Sequence, residues 1–413
     1  MEDWRIVRVA DVAARSSNAL ATGPFGSSIG SRFFRRSGVP VIRGGNLSAD
    51  SAIRINDDDL VFLAPEKAAE FSRSTVRRGD LIFTSWGTID QVGLIDDSAS
   101  FDDYVISNKQ MKLSPDPGIA LPDFLYYLFS APAMQREILA GAIGSSIPGF
   151  NLTRLRSIEI ELPPIQEQQK IVDALSDVEN LEKSLRRLIA KKLAIMQGMM
   201  QQLLTGRIRL PGFQEAWVDK NLGDLLQRSP RYGINAAAVK NAAGVYPYIR
   251  ITDIDDDGHF APSPKMAVRH PKAAEYLLQA GDIVLARTGA SVGKSYLYDP
   301  FDGDLVYAGF LINIKPDPAI LDARYLAFYA RTPQYWSWVA RTSVRSGQPG
   351  INGREYSQLA LSLPEIREQR AIADALTDAD REIDILRDRF DKAHAMKQGM
   401  MQQLLTGRTR LPV

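Results

Sequence analysis

Two kinds of hydrophobic spacing divide this chain. From Leu162 to Pro211, and again from Leu363 to Pro412, apolar residues recur in steps of three and four, and once the opening Leu-Pro-Pro or Leu-Pro-Glu is past no proline falls before the closing one. The first run carries Ile171, Leu175, Val178, Leu185, Ile189, Met196, Met199 and Leu203 on this rhythm. The second carries Ile372, Leu376, Ala379, Ile383, Leu386, Phe390, Ala393, Met400 and Leu404. Glu182, Lys192 and Lys397 interrupt the stripe with charge, which suggests partial cover by another molecule. Such spacing predicts amphipathic helices with a heptad seam. Leu-Pro-Pro and Leu-Pro-Glu end whatever precedes them, since proline fixes φ and lacks an N–H, and Gly206 and Gly407 suit C-terminal caps. A helix from Gln166 to Leu204 would be roughly 58 Å long at 1.5 Å per residue. Alone it would leave its seam exposed. Two of them can bury each other's seams as an intramolecular antiparallel coiled coil, and the sustained heptad favours this over each helix packing into its own globular core.

Elsewhere the apolar runs are short. Val39–Ile42, Leu81–Thr84, Ile283–Ala286 and Leu311–Ile314 sit between Gly, Pro and Asp clusters and read as strands, with helices expected near Pro122–Leu139 and Asp322–Val339. The two kinds of region also repeat. Leu162 aligns with Leu363 and Pro211 with Pro412, an offset of 201 residues without a gap, and about 28 of these 50 positions are identical. The undecamer QGMMQQLLTGR stands intact at Gln197–Arg207 and Gln398–Arg408. Weaker echoes extend the repeat: Trp4 with Trp217, Pro40–Arg43 with Pro247–Arg250, Gly79–Phe83 with Gly281–Leu285, and Gly149–Asn151 with Gly350–Asn352. The chain is therefore a tandem duplication of α+β class: globular region 1–161, helix 162–211, globular region 212–362, helix 363–413. Loops diverge where the frame agrees, as in Ser85–Gln91 against Arg287–Lys294.

Composition narrows the chemistry. The 413 residues include no cysteine, which excludes disulfides, thiol nucleophiles and cysteine metal sites. The N-terminus lacks the apolar core of a signal peptide and no run reaches transmembrane length, so a soluble cytoplasmic protein without membrane association is expected. The net charge of +1 is uninformative, although Ser31–Arg36 and Arg341–Ser346 are locally basic. Gly289–Ser295 (GASVGKS) falls one residue short of a phosphate-wrapping P-loop, and a turn with an exposed Lys294 is expected there. Asp116 and Asp317 lie in Pro-Asp-Pro turns without the partners of a nuclease motif. His259, His270 and His394 lack histidine partners, and the Asp253–His259 cluster lacks calcium-loop spacing and reads as a solvated loop. Pro163-Pro164 precedes Ile165 rather than an aromatic residue, so it does not form an amino-methyltransferase motif, and there is no glycine-rich loop for S-adenosylmethionine. No catalytic constellation and no metal site emerge.

The chain resembles the specificity subunit of type I restriction-modification systems. The resemblance covers essentially its whole length. It rests on L-P-x-I-x-E-Q at Leu162–Gln168 and Leu363–Gln369, Q-L-L-T-G-R at Gln202 and Gln403 onward, and more weakly on Gly23–Ser28 (GPFGSS) and the Gly-Asp strands at Gly79 and Gly281. The second half has Arg228–Gly233 where the first has GPFGSS. The resemblance implies two target-recognition domains, each reading half of a split sequence in double-stranded DNA. The helices would set the spacing and dock two methyltransferase subunits, which would methylate adenine N6. Motor-nuclease subunits would add cleavage of unmodified DNA. This chain would be non-catalytic and bind no cofactor, with S-adenosylmethionine, ATP and Mg on partner subunits. Arginine and lysine would hold phosphates, and polar side chains would read base edges. The DNA-binding candidates are Arg32, Arg35, Arg36, Arg43, Asn46, Ser85, Thr88 and Gln91 in the first region. In the second they are Arg231, Tyr232, Asn235, Arg250, Arg287, Thr288, Ser291, Lys294, Arg345 and Gln348. Helix pairing is assigned to Ile171, Leu175, Val178, Leu185, Met199, Leu203, Ile372, Leu376, Ile383, Leu386, Phe390, Met400 and Leu404. The rival reading is a coiled-coil scaffold carrying two peptide-binding domains and no DNA role.

Overall fold

The computed structural model describes residues 3–142 and 149–412. It contains two compact units. The first joins Met1–Arg187 to the C-terminal Asp388–Val413, and the second is the contiguous Leu188–Arg387. Each unit thus holds part of both long helices, Ile165–Leu203 and Ile366–Leu404, of 39 residues each.

In the first unit, Leu81–Thr84 is the inner strand of an antiparallel sheet in the order Leu20–Thr22, Gln110–Leu113, Leu81–Thr84, Val92–Leu94. Its first three residues, Leu81, Ile82 and Phe83, are apolar in succession because both faces are covered. Leu81 and Phe83 join the helix Pro122–Ser130, Ile171 and Leu175 of the first long helix, and Met401, Leu404 and Leu405 of the second. Ile82 faces the other way, onto Ile42, Tyr104 and Ile106 of a second sheet. In that sheet Val39–Ile42 runs parallel to Tyr104–Ile106, with Val61–Leu63 and Thr75–Val76 at its edges. Arg5–Arg8 pairs antiparallel with Glu159–Leu162 and leads into the first long helix.

The second unit repeats this plan. Ile283–Ala286 lies between Leu311–Ile314 and Ser295–Leu297, and Tyr246–Ile249 runs parallel to Val306–Tyr307. Its core gathers Met196, Met200, Leu203 and Leu204 with Ile372, Leu376 and Ile383. One strand is new: Ala238–Lys240 is added outside Met266–Val268. All four strands expected from the sequence occupy their stated bounds.

Three expectations are corrected. Proline divides each of the two short helices. Pro132 and Pro333 start new helices, so Pro122–Ser130 is followed by Pro132–Ala140, and Ala323–Tyr329 by Pro333–Thr342. The residue before each proline is driven to extended backbone, at ψ 138° for Ala131 and 153° for Thr332. The helix seam is not a pure helix-to-helix contact either: Ile171, Leu175 and Leu404 reach the core of the first unit, and Leu203, Ile372, Leu376 and Ile383 that of the second. Val178, Leu185 and Leu386 are buried, whereas Met199, Phe390 and Met400 are only half-buried. The buried neighbours are Met200 and Met401, as expected when a 3.6-residue turn drifts against a seven-residue repeat. Finally, the charged interruptions need no outside cover. Lys397, 1% exposed, donates to Glu179 at 3.0 Å and Glu182 at 3.4 Å, and Lys192 meets Glu382 at 2.7 Å.

The repeated motifs at the two ends of the long helices prove to be clamps. Gln168 donates to the Pro163 and Ile119 carbonyls and accepts from the Leu121 amide, and Gln369 does the same with Pro364, Ile320 and Asp322. The buried Glu167 takes two hydrogen bonds from Arg410 and one from Trp4, and the buried Glu368 takes two from Arg209. Gly206 and Gly407 turn the chain at φ of 68° and 65° against Trp217 and Trp4, conformations suited to glycine.

Candidate nucleic-acid interface

In each unit the chain leaving the inner strand is held from both sides by backbone hydrogen bonds. The Ser85 amide donates to the Lys109 carbonyl at 2.7 Å, and the Phe150 amide donates to the Ser85 carbonyl at 2.8 Å. The second unit has the same pair: Arg287 amide to Phe310 carbonyl, 3.0 Å, and Ile351 amide to Arg287 carbonyl, 2.9 Å. Trp86 bridges Gly149 as Thr288 bridges Gly350. The anchoring bonds thus correspond, yet Ser85, Trp86, Thr88 and Lys109 face Arg287, Thr288, Ala290 and Phe310 in the alignment. Trp86 is 52% exposed and Phe310 58%.

The first unit has a cleft of about 460 Å³ beside this loop, lined among others by Arg43, Thr84, Trp86, Thr88, Lys109 and Gln110. The candidates Arg43 and Thr88 meet there. Arg32, Arg35 and Arg36 are all exposed; Arg35 donates to the Arg32 and Phe34 carbonyls, and Arg32 lies over the Phe33 ring. Gln91 is half-buried. In the second unit Arg287 lies 4.9 Å above the Tyr232 ring, whose hydroxyl accepts from the Gly353 amide. Thr288 donates to the Pro349 carbonyl, and Gln348 lies beside Gly289. Arg231 and Asn235 are exposed, and Ser291 is half-buried in the turn Gly289–Ser291.

Several candidates depart from the sequence-based expectation because their polar groups are already engaged. Asn46 is 3% exposed: its Oδ1 accepts from the Arg43 amide and its Nδ2 donates to the Asn56 and Asp58 carbonyls, so it pins its own loop. Arg250 grips Asp253 through two hydrogen bonds of 2.6 and 2.9 Å, and hydrogen bonding to that carboxylate raises the pKa of its guanidinium. Arg345 is bonded twice to Glu355 at 2.6 Å. Ser85 is buried. Lys294 is half-buried rather than exposed, paired with Asp256 at 2.7 Å and donating to the Ile254 carbonyl. The acidic cluster is not a free solvated loop: Asp257 meets Arg387 at 2.8 Å, and Asp255 accepts from the His259 amide.

Trp86, Lys109, Gln110 and Phe310 were not among the sequence-derived candidates. The alignment already sets Lys109 against Phe310 immediately before a shared strand, which was the available signal. Among the described residues no group of three His, Cys, Asp or Glu side chains could hold a metal, and no helix is long and apolar enough to cross a membrane.

The family described as type I restriction modification DNA specificity domain matches residues 1–191 and 214–393. The MjaVIII specificity subunit of Methanocaldococcus jannaschii is 24% identical over 340 residues, covering 74% of this chain and 75% of the relative. The putative MjaX specificity subunit of the same organism is 24% identical over 99% of this chain and 94% of its own length. The S subunit structure from M. genitalium shares the fold with a TM-score of 0.62 at 14% identity, covering 97% of this chain and 96% of that one.

Proposed function

The chain belongs to the type I restriction modification DNA specificity family, and we propose that each of its units reads one half of a bipartite DNA site, without catalysis of its own. The observation that carries this reading is the pair of loops after the inner strands. Their backbones are held alike while their side chains differ at nearly every outward position. Packing alone gives no reason to keep a scaffold and change its surface, whereas two reading heads for two base sequences do. Exposed arginines such as Arg32, Arg36 and Arg231 would hold phosphates, and the loop side chains would meet base edges.

Partners and chemistry follow in the same proposal. The long helices would fix the separation of the half-sites and dock two methyltransferase subunits. Those subunits would hold S-adenosylmethionine and methylate adenine N6, and motor-nuclease subunits would bring ATP and Mg to cleave unmodified DNA. The test is co-expression with the methyltransferase subunits, followed by sequencing of the host DNA for N6-methyladenine. One split motif is expected. Replacing Ser85-Trp86-Gly87-Thr88 by the Arg-Thr-Gly-Ala of positions 287–290 should alter one half of that motif and leave the other half intact. A stable complex that methylates no motif would overturn the DNA reading and favour a scaffold.

A further inference from the structure

The cleft of the first unit has a chemical character that the second unit lacks. Thr84 and Gln110 are a cross-strand pair at its floor, both buried. Three side-chain atoms of its lining, Thr84 Oγ1, Gln110 Nε2 and Arg43 Nε, are buried with no hydrogen-bond partner among the described residues. Buried polar atoms are ordinarily paired, so three together call for an explanation. All three can donate a hydrogen bond. Gly44 and Gly45 stand at the mouth. A side chain on Gly45 would meet nothing within 4 Å, and one on Gly44 would meet only Gln110 Nε2, at 3.9 Å. Their bareness leaves an approach to the Gln110 amide. Trp86 lies on the lining with half its surface open, and its ring is seated so closely on Gly149 that a Cβ there would come within 2.7 Å. The second unit places Ala286 and Leu311 at the equivalents of Thr84 and Gln110.

We propose that this cleft takes a single unstacked nucleobase bearing keto oxygens, thymine or guanine, with Trp86 against its face and the Thr84, Gln110 and Arg43 donors toward its oxygens. Aromatic surface plus amide and hydroxyl groups at the end of a cavity is the chemistry that holds a base out of its stack. A phosphate would also accept from these donors, but it would make no use of the open indole face. The inference rests on the reading of the chain as DNA-binding and narrows it to one pocket in one unit.

The experiment uses the full chain and single-stranded probes, whose bases are already free: oligomers of deoxythymidine, of deoxyadenosine, and an abasic deoxyribose phosphate chain of equal length. The deoxythymidine oligomer should bind about tenfold more tightly than the other two, the factor expected of one discriminating hydrogen-bonded contact. Thr84→Ala with Gln110→Leu, copying the second unit, should abolish that preference and leave abasic binding unchanged. Trp86→Thr should weaken both base-bearing oligomers without touching the abasic chain. Free thymidine monophosphate serves as competitor: competition assigns the pocket to a base from either source, and competition by inorganic phosphate alone would overturn the proposal in favour of an anion site. Equal binding of all three oligomers, or a preference that survives the double substitution, would also overturn it. Motif-specific methylation persisting in either case would show that the broader DNA reading stands while this pocket does not take a base.

Discussion

Within the first unit, Lys397 approaches Glu179 at 3.0 Å and Glu182 at 3.4 Å inside the helix pair, and His394 meets Glu182 at 3.1 Å. Within the second, the repeat places Met196 and Leu193 where Lys397 and His394 stand, and Asp380 and Ile383 where Glu179 and Glu182 stand. One seam is closed by charge and its sister largely by hydrocarbon. The surroundings changed in step. Arg54 reaches Glu179 at 3.5 Å and stacks at 4.1 and 4.7 Å on Tyr126 and Tyr127. Those tyrosines are Ala327 and Phe328 in the second unit, where Asp380 is met by Arg331 at 3.0 Å. The lesson is that duplicated helices keep their seam positions but not their seam chemistry. A buried charge persists only with all of its partners, so such a cluster is exchanged as a group.

The sharpest way to break the comparison is to convert one seam toward the other by a single residue. Lys397→Met removes the buried ammonium between Glu179 and Glu182, leaving only Arg54, the exposed Lys183 and His394 about them, and should cost about 3–5 kcal/mol in denaturant unfolding, the usual penalty for breaking a buried ion pair. Met196→Lys should be of comparable severity, and adding Ile383→Glu should recover part of the loss. If Lys397→Met were neutral, the cluster would have no structural role.

The clamps give a smaller contrast. Glu167 has Trp4 as well as Arg410, whereas the Trp217 indole nitrogen of the second unit has no partner among the described residues. Arg209→Ala should therefore lower the thermal midpoint more than Arg410→Ala, and both less than Lys397→Met.

Proton linkage gives the finest contrast. Burial works to raise the pKa of the Glu179 carboxyl, but Arg54 and Lys397 outweigh it and hold it below the usual range. Its stabilisation is thus present above pH 4.5 and is lost as the pH falls through the lowered value. Glu179→Gln should flatten the acid limb of the stability profile. In the second unit, burial opposes but hydrogen bonds from His259 dominate at Asp255, bringing it to about 2, while the bond to Asp255 raises His259 above 6.5. The imidazolium stabilises below pH 6.5 and ceases to do so as the pH rises through its raised value. His259→Gln should consequently matter at pH 6 and not at pH 9.

Much of this fold was legible because periodicity reports burial directly. Leu81, Ile82 and Phe83 are apolar in succession since both faces of their strand are covered, and the spacing of three and four marks both long helices. What stayed hidden depends on partners distant in sequence. Nothing local in Lys397 announces Glu179, 218 residues away, and Asn46 reads as an exposed loop amide until its three bonds to its own loop are seen. The divergence of the loops singled them out as a candidate interface, but Gln110 and Trp86 were not singled out, because a strand end and a turn look alike whether or not a cleft opens beside them.

The first unit is also discontinuous, and this imposes a timetable. Its core requires Met401, Leu404 and Leu405, and Glu167 waits for Arg410. On the ribosome, the second unit must be made in the interval. At roughly 5–20 residues per second that delay is about 10–40 s, during which Ile171 and Leu175 have no helix to meet. The half that is translated first is the half that is finished last, so a chain whose synthesis stops near Arg387 presents an open apolar face to chaperones and proteases.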